Sequence, residues 1–202
     1  MTLPKCRLFL VTPAGTDIKA TEAMTVAALG AGDVASLLVS SGPDQKELLE
    51  ALQPIVRRYD AALLVEDDHR LAGSAGADGV QIEAAPSLYA AARAGLGDSS
   101  IVGAKCGPSR HDAMTIAEAG VDYVAFSDVE TMLGDETILA WWNQLFEVPS
   151  VAFAPLAEGA ARRAVSEGAG FIRPPDAMWQ SPERSAATVI AWNSMIEDVS
   201  RC

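Results

Sequence analysis

Histidine and cysteine are scarce in this chain. Its 202 residues hold two histidines, His69 and His111, and three cysteines, Cys6, Cys106 and Cys202. So few histidines argue against a His-based acid–base pair. The cysteines show neither metal-ligand spacing nor a paired framework, which argues against a zinc site or a disulfide scaffold. A reducing compartment suits them, so a cytoplasmic protein is expected. Positive charge is also short: 15 Lys and Arg stand against 27 Asp and Glu, a net charge of −12. Nucleic acids and anionic membranes ask for a basic footprint, so neither is expected as a partner. No apolar run approaches the roughly 20 residues that span a bilayer. Residues 1–7 lead straight into a short apolar stretch, so no signal peptide is expected. Linkers and low-complexity segments are missing too. The chain is 50% hydrophobic, enough for a sizeable core, and reads as one domain over residues 1–202.

What is present is a repeat. Four times a helical stretch gives way to a small-residue turn and an apolar run: Leu29-Gly30-Ala31-Gly32-Asp33-Val34, Ala75-Gly76-Ala77-Asp78-Gly79-Val80, Ala119-Gly120-Val121-Asp122-Tyr123-Val124 and Glu167-Gly168-Ala169-Gly170-Phe171-Ile172. The leading glycines Gly30, Gly76, Gly120 and Gly168 stand 46, 44 and 48 residues apart. A period of that size holds two βα units, and four periods fill the chain. The pattern predicts an α/β fold, a single-domain (β/α)8 TIM barrel. Each leading glycine is expected just past a helix, in the left-handed conformation.

The strands should begin near Leu8, Val34, Ala62, Gly79, Ile101, Tyr123, Val148 and Gly170. Their apolar runs are continuous rather than alternating, as in parallel strands covered on both faces. Helical spacing predicts helices over Glu47–Tyr59, distorted by Pro54, and over Thr188–Val199. Trp142 is expected to pack under an outer helix, while Trp141 and Trp179 stay open between packing, a pocket wall and the interface of a homo-oligomer. Cys6 and Cys202 both fall near the lower rim, where a bridge between them is an option.

Barrel chemistry sits at the carboxyl ends of the strands. The residues there are Thr12-Pro13, Ser40-Ser41-Gly42, Glu66-Asp67-Asp68-His69, Glu83, Lys105-Cys106-Gly107, Ser127-Asp128, Ala154-Pro155 and Arg173-Pro174-Pro175. The densest cluster is Glu66 to His69. It reads either as a magnesium site, with Asp67 as ligand and Glu66 or Asp68 helping, or as acids capping the next helix. Lys105 and Arg173 are the basic residues directly after strands. They read either as receivers of an anionic group or as ion-pair partners of Asp67, Asp68 or Asp128. Cys106 beside Lys105 is a weaker option as a thiolate, and His111 should face outward.

In the order of these segments the chain resembles thiamine-phosphate synthase and its thiazole-tautomerase relatives along nearly its full length. Leu8-Phe9-Leu10-Val11-Thr12 is similar to that family's first strand. Val65-Glu66-Asp67-Asp68 is similar to its Ile-Asn-Asp-Arg or Val-Asn-Asp-Asp segment, and Gly76-Ala77-Asp78-Gly79-Val80 to its Gly-Ala-Asp-Gly-Val-His. Ile101-Val102-Gly103 and Asp122-Tyr123-Val124 match its Ile-Ile-Gly and Asp-Tyr-Val.

The ligand motifs depart from the family. Its Gln-x-Arg-x-Lys falls on Leu37–Ser41, and its His-x-Gly-Gln-x-Asp on Gln81–Pro86, which puts proline at the second magnesium aspartate. Its Gly-x-Ser-x-His is Gly103-Ala104-Lys105-Cys106-Gly107, its Thr-x-Thr-Lys loop has no counterpart in Asp128–Glu136, and its Gly-Gly-Ile is Ala154-Pro155-Leu156. Prolines carry no amide hydrogen, so Pro155, Pro174 and Pro175 remove donors where a phosphate would sit.

The resemblance implies a transferase of thiamine biosynthesis. Such an enzyme joins hydroxymethylpyrimidine pyrophosphate to thiazole phosphate, releases pyrophosphate, and uses Mg2+. The departures imply a diverged barrel that binds a small phosphorylated or anionic ligand without that chemistry, or an interaction scaffold with no ligand. For a ligand the expected residues are Lys105, Arg173, Ser40 and Ser127, and for magnesium Asp67 and Glu66. No catalytic residue is singled out.

Overall fold

The computed structural model describes residues 5–201. Its strands are β1 (Arg7–Val11), β2 (Val34–Val39), β3 (Ala62–Glu66), β4 (Gly79–Glu83), β5 (Ile101–Cys106), β6 (Tyr123–Phe126), β7 (Ser150–Ala152) and β8 (Phe171–Ile172). The helices between and after them are α1 (Ile18–Ala31), α2 (Gln45–Val56), α3 (His69–Ala75), α4 (Pro86–Leu96), α5 (Arg110–Ala119), α6 (Ile138–Leu145), α7 (Glu158–Ser166) and α8 (Pro182–Ser200). The strands pair in chain order and close into a barrel, β8 lying parallel to β1. The repeat thus delivers the predicted (β/α)8 architecture. Two strands start later than the apolar runs suggest, β7 at Ser150 rather than Val148 and β8 at Phe171 rather than Gly170.

The continuous apolar runs divide, by the alternation of a strand, into two cores. Phe9, Val11, Leu38, Leu64, Tyr123, Ala125, Val151 and Phe153 fill the inside of the barrel. Their neighbours, among them Leu8, Leu10, Leu37, Val65, Val102 and Phe126, pack outward against the helices. At Gly103 the inner wall has no side chain because the ring of Tyr123 occupies that space.

Turn chemistry follows the repeat with one correction. Gly76, Gly120 and Gly168 take positive φ (66°, 104° and 88°) after helices. Gly30 does not: α1 runs on through Ala31, and the turn is made at Gly32, whose backbone is extended. Gly32 is required for closeness instead. A Cβ there would strike the side chain of Asn193, which accepts from the Asp33 amide at 2.6 Å and donates to the Asp33 carbonyl at 3.0 Å. That contact ties α8 to the α1–β2 turn.

Helix α2 also differs, ending at Val56 rather than Tyr59. Pro54 sits in its last turn and withholds an amide from the Glu50 carbonyl, and the helix runs two residues past it. Helix α8 starts earlier than expected, at Pro182, with Ser181 capping the Arg184 amide. Trp142 is fully buried, stacked on Phe146 with centroids 4.1 Å apart, and donates Nε1 to the Val148 carbonyl at 2.8 Å. Trp179 is buried in the outer core as well, and Trp141 lies beside Trp142 under the Arg110 guanidinium. Trp142 and Trp179 are packing residues, and Trp141 packs against the same core while staying partly exposed. Cys6 is buried, and its considered partner Cys202 lies outside the described residues. No helix among the described residues is long and apolar enough to cross a membrane.

Candidate functional site

The carboxyl ends of β3, β4 and β5 bring three charged side chains to the inner mouth of the barrel. Strand alternation turns Leu64 and Glu66 inward on β3, Gln81 and Glu83 on β4, and Gly103 and Lys105 on β5. Register sets Glu66 beside Gln81 and Glu83 beside Lys105. The Lys105 ammonium lies 2.5 Å from the Glu83 carboxylate and 3.8 Å from that of Glu66. The hydrogen bond to Glu83 holds the Lys105 pKa above its usual value, against the effect of burial. The other Glu66 oxygen accepts from the Ser41 amide at 3.0 Å and the Ser41 hydroxyl at 3.2 Å.

Asp67 is the one non-glycine residue with positive φ (65°) among the described residues. Aspartate tolerates this conformation better than most residues, and its appearance at a strand end of a barrel marks a place held for position. Its backbone amide is fixed by the Gln81 carbonyl at 2.8 Å. Its carboxylate has no hydrogen-bond or ion-pair partner among the described residues. Desolvation raises its pKa above the usual aspartate value, with Glu66 and Glu83 adding and Lys105 opposing. Asp68 takes the plain alternative: its carboxylate caps α3 by accepting from the Leu71 amide.

Under this mouth lies a buried polar pair. The Tyr123 hydroxyl donates to Gln81 Oε1 at 3.1 Å, while Gln81 Nε2, within a side chain 1% exposed, has no partner. Burial raises the Tyr123 pKa, so this phenol stays protonated.

The other expected residues make their hydrogen bonds and ion pairs with partners outside this group. Arg173 follows β8 and pairs with Asp176 at 2.7 Å, on a short 3-10 turn (Asp176–Gln180). It also donates to the Phe153 carbonyl at 3.3 Å and lies 5.2 Å over the Phe153 ring, with its Nε left without a partner. The expected partners Asp67, Asp68 and Asp128 are thus corrected to Glu83, Glu66 and Asp176. Asp128 is occupied in its own loop by the amides of Glu130 and Thr131 and the Thr131 hydroxyl. Ser40 donates its hydroxyl to the Thr12 carbonyl, and Ser127 donates to that of Cys106. Cys106 faces the outer core, and burial pushes its thiol up to about 12, which ends the thiolate option. His111 is exposed.

A divalent cation prefers several oxygen ligands at once. Glu66 and Glu83 are engaged with Lys105, Asp67 alone is free, and Pro86 at the start of α4 supplies no oxygen. Among the described residues no three acids, histidines or cysteines gather closely enough to hold a metal ion. A magnesium ion at Asp67 would therefore take most of its oxygens from a ligand rather than from side chains.

Sequence reasoning reached Glu66, Asp67, Lys105 and Arg173 through their place after apolar runs. It placed Glu83 at the rim without a role, and it missed Gln81, Tyr123 and Asp176. For Gln81 a signal existed: a lone amide inside an otherwise apolar strand.

At the opposite end of the barrel a cavity of about 220 Å3 opens between Arg7, Asp33 and Tyr59. There Arg7 is taken by Asp33 at 2.8 Å and by the backbone carbonyls of Val34 and Asp60.

Comparison with known proteins agrees with the barrel. The family described as thiamine monophosphate synthase matches residues 8–173. A thiamine-phosphate synthase of Rhodospirillum centenum is 37% identical over 202 aligned residues, covering 95% of this chain and 98% of that protein. One from Erythrobacter litoralis is 37% identical over 162, covering 74% and 76%. The solved thiamine phosphate pyrophosphorylase from Pyrococcus furiosus superposes with a TM-score of 0.78 at 21% identity, covering 96% of this chain and 97% of that one.

Proposed function

The chain belongs to the thiamine monophosphate synthase family, and from that premise we propose that its barrel mouth binds a small phosphorylated ligand through Arg173 and Lys105 without running the synthase transfer at an ordinary rate. The observation that carries this reading is the state of the rim. Arg173 stands at the end of β8, partly exposed and held against Asp176, with a shape and charge suited to phosphate. Departure of pyrophosphate needs concentrated positive charge, and here the Lys105 ammonium is already shared between two carboxylates. Prolines at 155, 174 and 175 remove backbone donors from the same rim.

A second reading, a working synthase, is favoured by the 37% identity that runs the full length of a thiamine-phosphate synthase. In that reading the protein is a transferase of thiamine biosynthesis, and Asp67 meets a magnesium ion whose other oxygens come from the ligand.

One assay separates the two. The purified chain is incubated with the pyrimidine pyrophosphate, thiazole phosphate and magnesium, and thiamine phosphate is measured by fluorescence after oxidation. We expect no product above the uncatalysed level. Turnover near that of an ordinary enzyme would establish the second reading.

A further inference from the structure

We propose that the foot of the barrel, at the amino ends of β1, β2 and β3, holds a separate ligand site: the cavity between Arg7, Tyr59 and Asp60 takes a single aromatic ring bearing an ammonium group. The site lies at the opposite end of the barrel from the mouth and does not depend on the phosphate reading above.

The first observation is the place and size of the cavity. Arg7 opens β1, Val34 opens β2, and Ala61 directly precedes β3. Tyr59, Asp60 and Ala61 come from the turn between α2 and β3, and Leu29 comes from the end of α1. Between them lies a space of about 220 Å3. A cavity of roughly 150 Å3 accommodates benzene, so this one suits a single ring with a short substituent.

The second observation is the apolar side of its wall. Leu29 and Val34 are each 4% exposed, and the half-buried Tyr59 and Ala61 pack on the same outer core. A ring laid against these side chains removes apolar area from water and meets the Tyr59 ring at an edge or a face.

The third observation is which charges are already engaged. Arg7 Nε donates to Asp33 at 2.8 Å, and Nη2 donates to the backbone carbonyls of Val34 and Asp60 at 3.2 and 3.3 Å. The guanidinium is thus held on Asp33 and on the main chain of Asp60. The Asp60 carboxylate, at the cavity wall, has no hydrogen-bond or ion-pair partner among the described residues. One base and two acids line the space, so the charge left over is negative. An ammonium is attracted to Asp60, and an anion is repelled. In (β/α)8 enzymes the chemistry sits at the other face, so a ligand here is held and not transformed. By tying the α1–β2 turn to the α2–β3 turn it stabilises the folded chain.

The test uses the full chain and phenethylamine as probe, with phenylacetate and phenylethyl alcohol as its anionic and neutral counterparts. Binding is read by calorimetric titration and by the shift in melting temperature, on the native protein, Asp60→Asn, Ala61→Leu and Asp67→Asn. Circular dichroism checks each fold. Phenethylamine should bind the native chain more tightly than phenylethyl alcohol, and phenylacetate should bind weakest. Asp60→Asn should weaken phenethylamine about threefold to fivefold, the range of an exposed ion pair, and leave phenylethyl alcohol unchanged. Ala61→Leu fills the cavity and should remove both; if it folds poorly, Asp60→Asn carries the test alone. Asp67→Asn, at the mouth, should change nothing. No phenethylamine binding by the native chain overturns the proposal, and so does phenylacetate binding equally well. Weakening by Asp67→Asn but not by Asp60→Asn places the amine at the mouth and overturns it too. Phosphate binding at Arg173 is untouched by each of these results, so this proposal and the reading above fail separately.

Discussion

Glu83 and Lys105 are register partners on β4 and β5, and the Glu83 carboxylate lies 2.5 Å from the Lys105 ammonium. The base at the mouth is therefore already neutralised, and any anion that reaches it competes with a carboxylate held at the same level of the barrel. This one relationship explains why the lysine after β5 does not by itself make an anion site.

Removing the competitor tests that statement. In Glu83→Gln, inorganic phosphate should bind more tightly than to the native chain. The Glu83 side chain is 55% exposed, so the stability change at pH 7 should stay within about 1 kcal/mol. The alkaline side has a definite sign. The folded Lys105 pKa lies above the usual 10.5, first because of the Glu83 hydrogen bond. The stabilisation from that bond is fully present below the unfolded value and is lost as pH rises through the folded one. The melting-temperature gap between native and Glu83→Gln should therefore close above about pH 10.5, a range thermal melts can cover.

Asp67 has the opposite sign for an acid. Its folded pKa lies above the ordinary 3.8 because burial and Glu66 disfavour the charged form. The folded chain holds this proton more tightly than the unfolded chain, so ionised Asp67 opposes folding at neutral pH and ceases to do so as pH falls below the unfolded value. Asp67→Asn should raise stability at pH 7 by less than about 1 kcal/mol. The gain should vanish near pH 3. Asp67→Val should lower stability at every pH, since a β-branched residue resists φ of 65°. Urea melts of the three proteins at pH 3 and 7 check both signs.

The inside of the barrel predicts a larger effect. A Cβ at position 103 would run into the ring of Tyr123, and that ring is held by its hydroxyl on Gln81 and by the edge of Phe9, with ring centroids 5.7 Å apart. Gly103→Ala should cost about 1–3 kcal/mol or more through this overlap. Gly107→Ala should cost little, because nothing lies within 4 Å of its added carbon. Similar melting temperatures for the two variants would show that the wall yields at Tyr123.

The repeat made the barrel legible because each βα unit carries its own local signals. Gly76, Gly120 and Gly168 are set by backbone conformation, which depends on neighbours in sequence. Gly32 depends on Asn193, 161 positions away, and that is where the reading of the repeat slipped to Gly30. The same division holds at the mouth. Glu66, Asp67, Lys105 and Arg173 could be placed because they follow apolar runs. Their partners could not, because Glu83 meets Lys105 only through the register of two strands, and Asp176 meets Arg173 through a 3-10 turn whose sequence carries no periodic signal. Gln81 was hidden as one residue of the β4 run, because what its buried amide meets depends on Tyr123, on β6.

Arg173 ties these levels together. A rim arginine is expected to contribute little to packing, yet this one is 16% exposed at its side chain and bridges Asp176 at 2.7 Å and the Phe153 carbonyl at 3.3 Å across the Phe153 ring. It therefore anchors the turn Asp176–Gln180 to the end of β7 as well as offering charge to a ligand. Arg173→Ala should cost about 1–2 kcal/mol in a urea melt, by losing hydrogen bonds to a charged group and stacked area. It should also abolish binding of inorganic phosphate. Arg173→Lys keeps the charge but not the planar fork, so it should recover part of the phosphate binding and little of the stability. Asp176→Asn frees the guanidinium from its carboxylate and should tighten phosphate binding while loosening the turn. Calorimetry on the four proteins reads the two roles separately. If Arg173→Ala binds phosphate as the native chain does, the anion is held elsewhere and the arginine is an anchor of the fold alone.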